Sequence, residues 1–363
     1  MILTVLLFIL ILAVLILVHE LGHFIVAKRA GAKVEEFGIG FPPRVFSIKR
    51  GETAYSFNLF PIGGFVKIYG EDGGEKEDQR SFASKKIHVR ALILFAGVLM
   101  NVCISAVLFS FGHFLGFPEV VEGEVKNAHV RNIQVRIVEV AKLSPAETAG
   151  IKVGESIVRV QSGEEQIRVH DIEDVQKFTN RHLGEEIILS LAVKNGSIVR
   201  DVRLRPREFA PKEEGAIGIA MVKVGVVSYP FYRAPFKGIE TTYHALAGTV
   251  HALFDTVVGF VRSGKLNESL SGPVGIAIIT AEVQKMGFMF LLQFIALISV
   301  NLAVLNILPF PALDGGRLLF LAIEKIKGSP VKQRYEKMAH SIGFMVLIIL
   351  MILITFRDVE RLL

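Results

Sequence analysis

The sequence has almost no cysteine, and it has neither an internal repeat nor a low-complexity tract. Its single cysteine, Cys103, lies inside an apolar run. Because there is only one cysteine, an internal disulfide is excluded, and the cysteine content does not indicate the redox compartment. Charged residues make up only 21% of the chain and are missing over long distances, whereas 51% of the residues are hydrophobic. The mean hydropathy of +0.49 is high for a soluble globular protein, and it predicts a membrane protein.

Four runs are long and apolar enough to form transmembrane helices, because a bilayer core of about 30 Å needs roughly 20 helical residues. They lie in segments 1–30, 89–117, 286–323 and 338–357, the last with the least length to spare. The first run could instead be a cleaved signal peptide. It lacks a basic start and a small-residue cleavage site, which favours a retained helix.

The net charge of +6 is concentrated in the loops after the first run, before the second, and between the third and fourth. The basic residues concerned are Lys28, Arg29, Lys33, Arg44, Lys49, Arg50, Lys85, Lys86, Arg90, Lys325, Lys327, Lys332, Arg334 and Lys337. Positive loops face the cytoplasm, so both termini and the nearly balanced segment 118–237 are expected outside. This pattern indicates orientation in a lipid bilayer and no nucleic-acid partner.

Segment 31–88, between the first two runs, is rich in glycine and contains an alternation of polar and apolar residues at 54–59. Such a period of two is typical of a half-buried strand, and residues 46–48 and 66–68 extend it. The segment is predicted to be a small membrane-associated β-sheet followed by a cytoplasmic loop.

Segment 125–208 has the size of a small independent domain. Residues 187–193 read as a strand, and residues 171–181 read as a helix with Asp171 as its N-cap. Residues 144–158 resemble the turn, short helix and strand entry of bacterial PDZ domains. We therefore expect one inserted α+β domain of the PDZ type, with a generic β-rich domain as the alternative.

Segment 209–285 is predicted to contain an amphipathic helix and a connecting region. Apolar residues recur at intervals of mostly three and four between positions 236 and 261, which is the spacing of one helix face. The helix could lie on the outer membrane surface or pack on the inserted domain, and the sequence does not decide between them.

His19-Glu20-Leu21-Gly22-His23 is an H-E-x-x-H motif that continues the first apolar run. The spacing of four places both imidazoles on one helix face, where they can share Zn²⁺ while Glu20 acts as general base. The alternative is that two histidines and a glutamate fall at this spacing by chance. Ionisable groups cost roughly 2.5–3.5 kcal/mol at membrane depth on insertion scales, so such groups are rare there and usually functional.

A catalytic zinc site needs a third protein ligand, and residues 24–34 offer none. Asp314 is the only acidic residue between positions 288 and 323, which makes it the best candidate; its alternative role is an N-cap for a following helix. Pro309 and Pro311 break the third span just before it. Broken backbone at membrane depth requires surrounding protein or a water-lined cavity, although an ordinary proline kink is the alternative.

Taken together, H-E-L-G-H, N-x-x-P-x-P-x-L-D-G and S-P-A-x-x-A-G resemble the site-2 protease family of intramembrane metalloproteases, in its bacterial PDZ-containing branch. Residues 60–66 and 270–276 also read like phrases of this family. The resemblance covers nearly the whole chain. The chain departs from many relatives of this branch because it has room for one PDZ domain where they carry two.

The resemblance implies a zinc ion held by His19, His23 and Asp314, with Glu20 as general base. It also implies that Asn301, Asn306, Gly38 and Gly40 contact the unwound substrate. The expected substrates are single-pass transmembrane proteins, such as anti-sigma factors and remnant signal peptides. The expected location is the bacterial inner membrane, with the PDZ domain on the extracytoplasmic side and the oligomeric state open.

Two other functions fit parts of this pattern. A metal transporter would use intramembrane histidine and aspartate residues and broken helices. It has no need of Glu20 inside an H-E-x-x-H frame, and no inverted repeat is present. An inactive scaffold for the PDZ domain would have no reason to bear the insertion cost of an intact ligand set.

Overall fold

The computed structural model describes residues 2–74, 77–121, 123, 127–193, 198–211, 214–264 and 271–360. Parts of the predicted segments lie outside this description, namely residues 1, 75–76, 122, 124–126, 194–197, 212–213, 265–270 and 361–363. The helices and strands within it are, in chain order, α1 (Ile2–Arg29), β1 (Val34–Arg50), β2 (Thr53–Ile68), α2 (Ile87–Leu115), β3 (Phe117–Val120), β4 (His129–Val140), α3 (Pro145–Thr148), β5 (Ser156–Ser162), β6 (Glu165–Arg168), α4 (Ile172–Arg181), β7 (Ile187–Val193), β8 (Ile198–Leu204), β9 (Ile219–Ser228), α5 (Ala234–Ser263), α6 (Pro273–Met286), α7 (Phe288–Ile307), α8 (Asp314–Lys327) and α9 (Gln333–Glu360).

The chain is organised in two compact units. The first, here called the helical unit, combines Met1–Ser110, Pro235–Gly287 and Leu291–Leu363. The second, called the sheet unit, combines Phe111–Ala234 with Phe288–Phe290.

Five helices in the described residues are long and apolar enough to cross a membrane, namely α1, α2, α5, α7 and α9. The sequence predicted four. The additional helix is α5, which contains the amphipathic helix predicted between positions 236 and 261. None of its most apolar stretch is buried. The third predicted segment, 286–323, is broken as expected, because α7 ends at Ile307 and α8 begins at Asp314.

The helices α1 and α2 approach each other closely at Gly22. A Cβ atom at this position would lie 2.3 Å from the carbonyl oxygen of Ala96, so only glycine permits the contact. Further along the membrane segment, Ile11 and Leu15 of α1 pack with Ile298 of α7. These contacts pack α1 against both α2 and α7.

The end of α9 is joined to the start of α6 through one buried carboxylate. Asp358 is 4% exposed and accepts hydrogen bonds from the backbone amides of Gly272 (3.2 Å) and Gly275 (2.7 Å). It therefore caps the N-terminus of α6 from a different helix. Both glycines belong to the phrase at residues 270–276 that resembles the family.

The strands β1 and β2 form the predicted small sheet, but each of them folds back on itself. The order across this sheet is 64–68, 34–39, 53–57 and 46–50, with register shifts where the strands turn. Segment 34–39 is therefore central, and segment 64–68 is at an edge.

The sheet unit contains a seven-stranded sheet in the order β3-β9-β4-β5-β7-β8, with β6 paired to β5. The predicted strand 187–193 and the helix capped by Asp171 are both present. The sheet extends beyond the predicted limits of 125–208, because β9 pairs with β4 along its full length and β3 pairs with β9. Apolar residues of β9, including Ile219 and Met221, pack against the hydrophobic core of the sheet unit.

Candidate metal centre

The two histidines of the H-E-x-x-H motif lie on one buried face of α1. His19 and His23 are each 6% exposed, and their Nε2 atoms are 3.1 Å apart. The four-residue spacing brings the rings together, as the helical periodicity predicts.

Asp314 brings the third candidate ligand to the same point from a distant part of the chain. Its Oδ2 atom lies 2.9 Å from His19 Nε2 and 3.2 Å from His23 Nε2. The N-cap of α8 is Leu313, and no side chain caps this helix. The carboxylate of Asp314 therefore faces the imidazoles, and the alternative N-cap role is not what the structure contains.

Both imidazoles are oriented by hydrogen bonds to their second nitrogen. His23 Nδ1 donates to the carbonyl of Ile93 (2.8 Å), which leaves the Nε2 lone pair available for a metal. His19 Nδ1 lies 3.3 Å from the amide of Asn101, a fully buried residue of α2. In this orientation the Asn101 Oδ1 atom is buried and has no hydrogen-bond partner among the described residues. Rotating the amide by half a turn lets Oδ1 accept from Nδ1, which leaves the lone pair of His19 Nε2 available for a metal as well.

The separations between the three ligand atoms fit a zinc ion. Ligands held at about 2.0–2.1 Å in tetrahedral geometry are about 3.3 Å apart, close to the 2.9–3.2 Å found here. In the described residues, this trio is the single cluster of histidine, cysteine and acidic side chains that could hold a metal ion. Gly97 of α2 leaves the space beside it, since a Cβ atom there would lie 2.3 Å from His23 Nε2.

Glu20 lies next to the trio in a cavity of about 510 Å³. The cavity is lined by Glu20, His23, Asp314, Arg317 and His340, among others, and by the edge residues Phe65 and Val66. The Oε2 atom of Glu20 accepts a hydrogen bond from the Val66 amide (3.1 Å). The predicted general base therefore shares a cavity with two candidate ligands and with the edge of the small sheet.

The four predicted substrate-contacting residues have different surroundings. Gly38 is paired on both sides, with Phe65 and with Ser56, so its backbone is not at a sheet edge. Gly40 has φ +78°, and its carbonyl accepts from Asn58. Asn301 accepts a hydrogen bond from Thr249 of α5 (2.8 Å). Asn306 is half-buried near the end of α7.

Two residues of the site were missed in the sequence. Asn101 and Gly97 are four residues apart in α2, and both face the imidazoles. The available signal was a polar residue one helical turn after a glycine inside an apolar span, since a buried polar group in a membrane needs a hydrogen-bond partner.

The sequence profile of peptidase family M50 matches residues 7–350. A protein of Clostridium acetobutylicum that is provisionally named a zinc metalloprotease is 36% identical over 353 residues, which covers 95% of this chain and 94% of that protein. The zinc metalloprotease RasP of Oceanobacillus iheyensis is 30% identical, with 99% of each chain covered. The regulator of sigma-W protease RasP of Bacillus subtilis is 29% identical over the same shares. The alignment with the Oceanobacillus protein extends over 445 positions, so that relative contains residues that the 363 residues here lack.

Proposed function

Because this chain belongs to peptidase family M50 and is thus an intramembrane zinc metalloprotease, we propose that it hydrolyses peptide bonds within transmembrane segments at the site described above. The observation that carries the proposed site is the convergence of His19, His23 and Asp314 within hydrogen-bonding distance, with Glu20 in the same cavity. A chance motif would not place an aspartate 295 residues away against both imidazoles.

In this proposal the two histidines and Asp314 hold the zinc ion, and Glu20 is the general base. When bound, zinc supplies Lewis-acid chemistry that acidifies water and polarises a carbonyl group. Glu20 takes the proton from the attacking water and passes it to the leaving amine. Ile93 and Asn101 fix the imidazole rings, so that the ligand atoms keep their direction during the reaction.

The edge segment 64–68 is the proposed place where substrate backbone is held. A transmembrane helix hides its carbonyl groups in hydrogen bonds, so it must unwind before hydrolysis. An unwound segment can add a strand at this edge, beside the Val66 amide and Glu20. Gly38, in the central segment, and Gly40, directly after it, then act by allowing the Phe65 ring and the Phe60 carbonyl to approach closely. Asn306, and Asn301 after it leaves Thr249, would bind substrate backbone.

We further propose four membrane spans, with α5 not crossing. The packing of Ile11 and Leu15 on Ile298, together with the contact of His19 and Asp314, indicates that α1 and α7 run in the same direction. An even number of crossings must then lie between α2 and α7. If α5 crossed, α6 would have to cross back, and its 14 residues span only about 21 Å. The basic residues between α7 and α9 support the same arrangement, with both termini outside.

The sheet unit is proposed to be the PDZ domain, on the extracytoplasmic side of a bacterial inner membrane. The helix α4 lies beside β9, and Lys223 of β9 pairs with Asp171 at the N-cap of α4 (2.5 Å). Strand β3 pairs only with residues 224–227 of β9, and on that side no strand pairing is described for residues 219–222. A helix beside such a partly open strand is an arrangement that can capture extended peptides. The name of the Bacillus subtilis relative, regulator of sigma-W protease, supports a role in sigma-factor regulation, and we propose single-pass proteins such as anti-sigma factors as the substrate class.

The decisive experiment compares purified wild type with Glu20→Gln on a model transmembrane substrate, with metal analysis of both. We expect the variant to keep its zinc, because the ligands are intact, and to lose at least about 100-fold in rate, because the amide accepts no proton. A variant that keeps its zinc and cleaves at the wild-type rate would show that Glu20 is not the base.

A further inference from the structure

The segment 308–313 between α7 and α8 delivers Asp314 to the metal centre, and it has no regular secondary structure. It is packed backbone to backbone on the first turn of α8. A Cβ atom at Gly315 would lie 2.1 Å from the Leu308 carbonyl oxygen, and one at Gly316 would lie 2.3 Å from that of Phe310. The position of Asp314 therefore depends on the conformation of this segment.

Ala312, two residues before Asp314, has a backbone conformation that alanine rarely adopts. Its φ angle is +82°, in the left-handed region that favours glycine. Such a conformation persists where the surroundings enforce it. The Ala312 amide donates a hydrogen bond to Nδ1 of His340 in α9, at 2.8 Å.

The same face of α9 touches the segment a second time. Gly343 is three residues after His340, so both residues face the same direction. A Cβ atom at Gly343 would lie 2.4 Å from the Pro311 carbonyl oxygen. The helix α9 thus contacts two consecutive residues of the segment, once through a hydrogen bond and once by close packing.

We propose that His340 is a positioning residue, which holds Ala312 in its left-handed conformation and thereby places the carboxylate of Asp314 against His19 and His23. The inference rests on the proposed role of Asp314 as a metal ligand. Ligand positions must be correct within about 0.2 Å, so a small relaxation of the segment weakens metal binding. His340 itself need not touch the metal or the substrate.

Three variants test this role by zinc affinity, measured by competition with a chelator in the purified full-length protein. His340→Phe keeps an aromatic ring but removes the hydrogen-bond acceptor. We expect zinc affinity to fall about 10- to 100-fold, as it does when other residues that orient a metal ligand are replaced. His340→Asn offers an acceptor near the position of Nδ1, so it should stay within about threefold of wild type. Adding Ala312→Gly to His340→Phe should restore most of the affinity, because glycine adopts this φ without support.

Met338→Ala, at an exposed position of α9, is the matched control and should behave as wild type. Retention of wild-type affinity by His340→Phe would overturn the inference, and so would a failure of Ala312→Gly to rescue it. Asp314→Asn separates this outcome from the proposed function. If Asp314→Asn binds zinc normally, the ligand set is wrong; if it binds weakly while His340→Phe is normal, only the positioning role fails.

Discussion

Gly97 is the position where one methyl group is expected to disable the metal centre. A Cβ atom there would lie 2.3 Å from His23 Nε2 and 2.7 Å from His19 Nε2, whereas atoms in van der Waals contact are about 3.5 Å apart. Gly97→Ala therefore requires the rings to move by about 1 Å. Withdrawal of α2 would relieve the clash only by opening the close contact between the Ala96 carbonyl and Gly22 of α1.

A displacement of this size is several times the tolerance of a zinc site, which is about 0.2 Å. We expect the zinc affinity of Gly97→Ala to fall by at least about tenfold, or about 1.4 kcal/mol. Alanine favours a helix over glycine by about 1 kcal/mol, so the metal-free variant should remain helical. The assay is chelator competition on purified protein, with cleavage of a model substrate in parallel and circular dichroism as the folding check.

Cys103→Ala in the same helix is the control, since the Cys103 side chain is exposed and does not belong to the candidate metal cluster. It also tests whether the single thiol contributes to bound zinc. Wild-type zinc affinity and cleavage in Gly97→Ala would refute the reasoning, because the imidazoles would then have room that the structure does not contain.

Three further predictions follow from the two units. Asp314→Asn should lower zinc occupancy and cleavage together, because a neutral amide is a poorer ligand than a carboxylate, and metal analysis checks this. Residues 117–228 expressed alone should fold, because this range contains all seven strands of the sheet; broad, poorly dispersed amide resonances would contradict it. Burial alone would raise the pKa of Glu155 in that domain, but hydrogen bonds from Arg200 and the Lys152 amide outweigh it and lower the pKa. Its stabilisation should therefore be complete above about pH 4.5 and be lost as the pH falls through the lower folded pKa, and Glu155→Gln should flatten this acid dependence in thermal melts.

The sequence was informative wherever membrane insertion imposes a cost. The four most apolar helices were predicted because bilayer thickness sets their length. Asp314 was selected because an isolated carboxylate at membrane depth is costly and therefore usually has a functional role. The break before Asp314 was predicted because two prolines cannot continue a helix.

The features that were missed depend on contacts between distant segments. Neither hydropathy nor spacing reveals that β9 completes the sheet beyond residue 208, because strand pairing is set by tertiary packing. Gly97 and Asn101 looked like ordinary members of an apolar run, since their meaning comes from the rings of α1. The central position of Gly38 depends on how β2 folds back on itself, which an alternating pattern does not specify.

The distance in sequence between the candidate ligands has a consequence for the biosynthesis of the enzyme. His19 precedes Asp314 by 295 residues, so the trio cannot form until the third predicted span has been synthesised and inserted. At about 5–20 residues per second, this interval is roughly 15 to 60 seconds. During that time the nascent chain already exposes an H-E-x-x-H helix to the membrane but holds no complete metal site. With the proposed ligand set, proteolytic activity therefore begins only once Asp314 has been inserted, which defers cleavage until the third predicted span is in place.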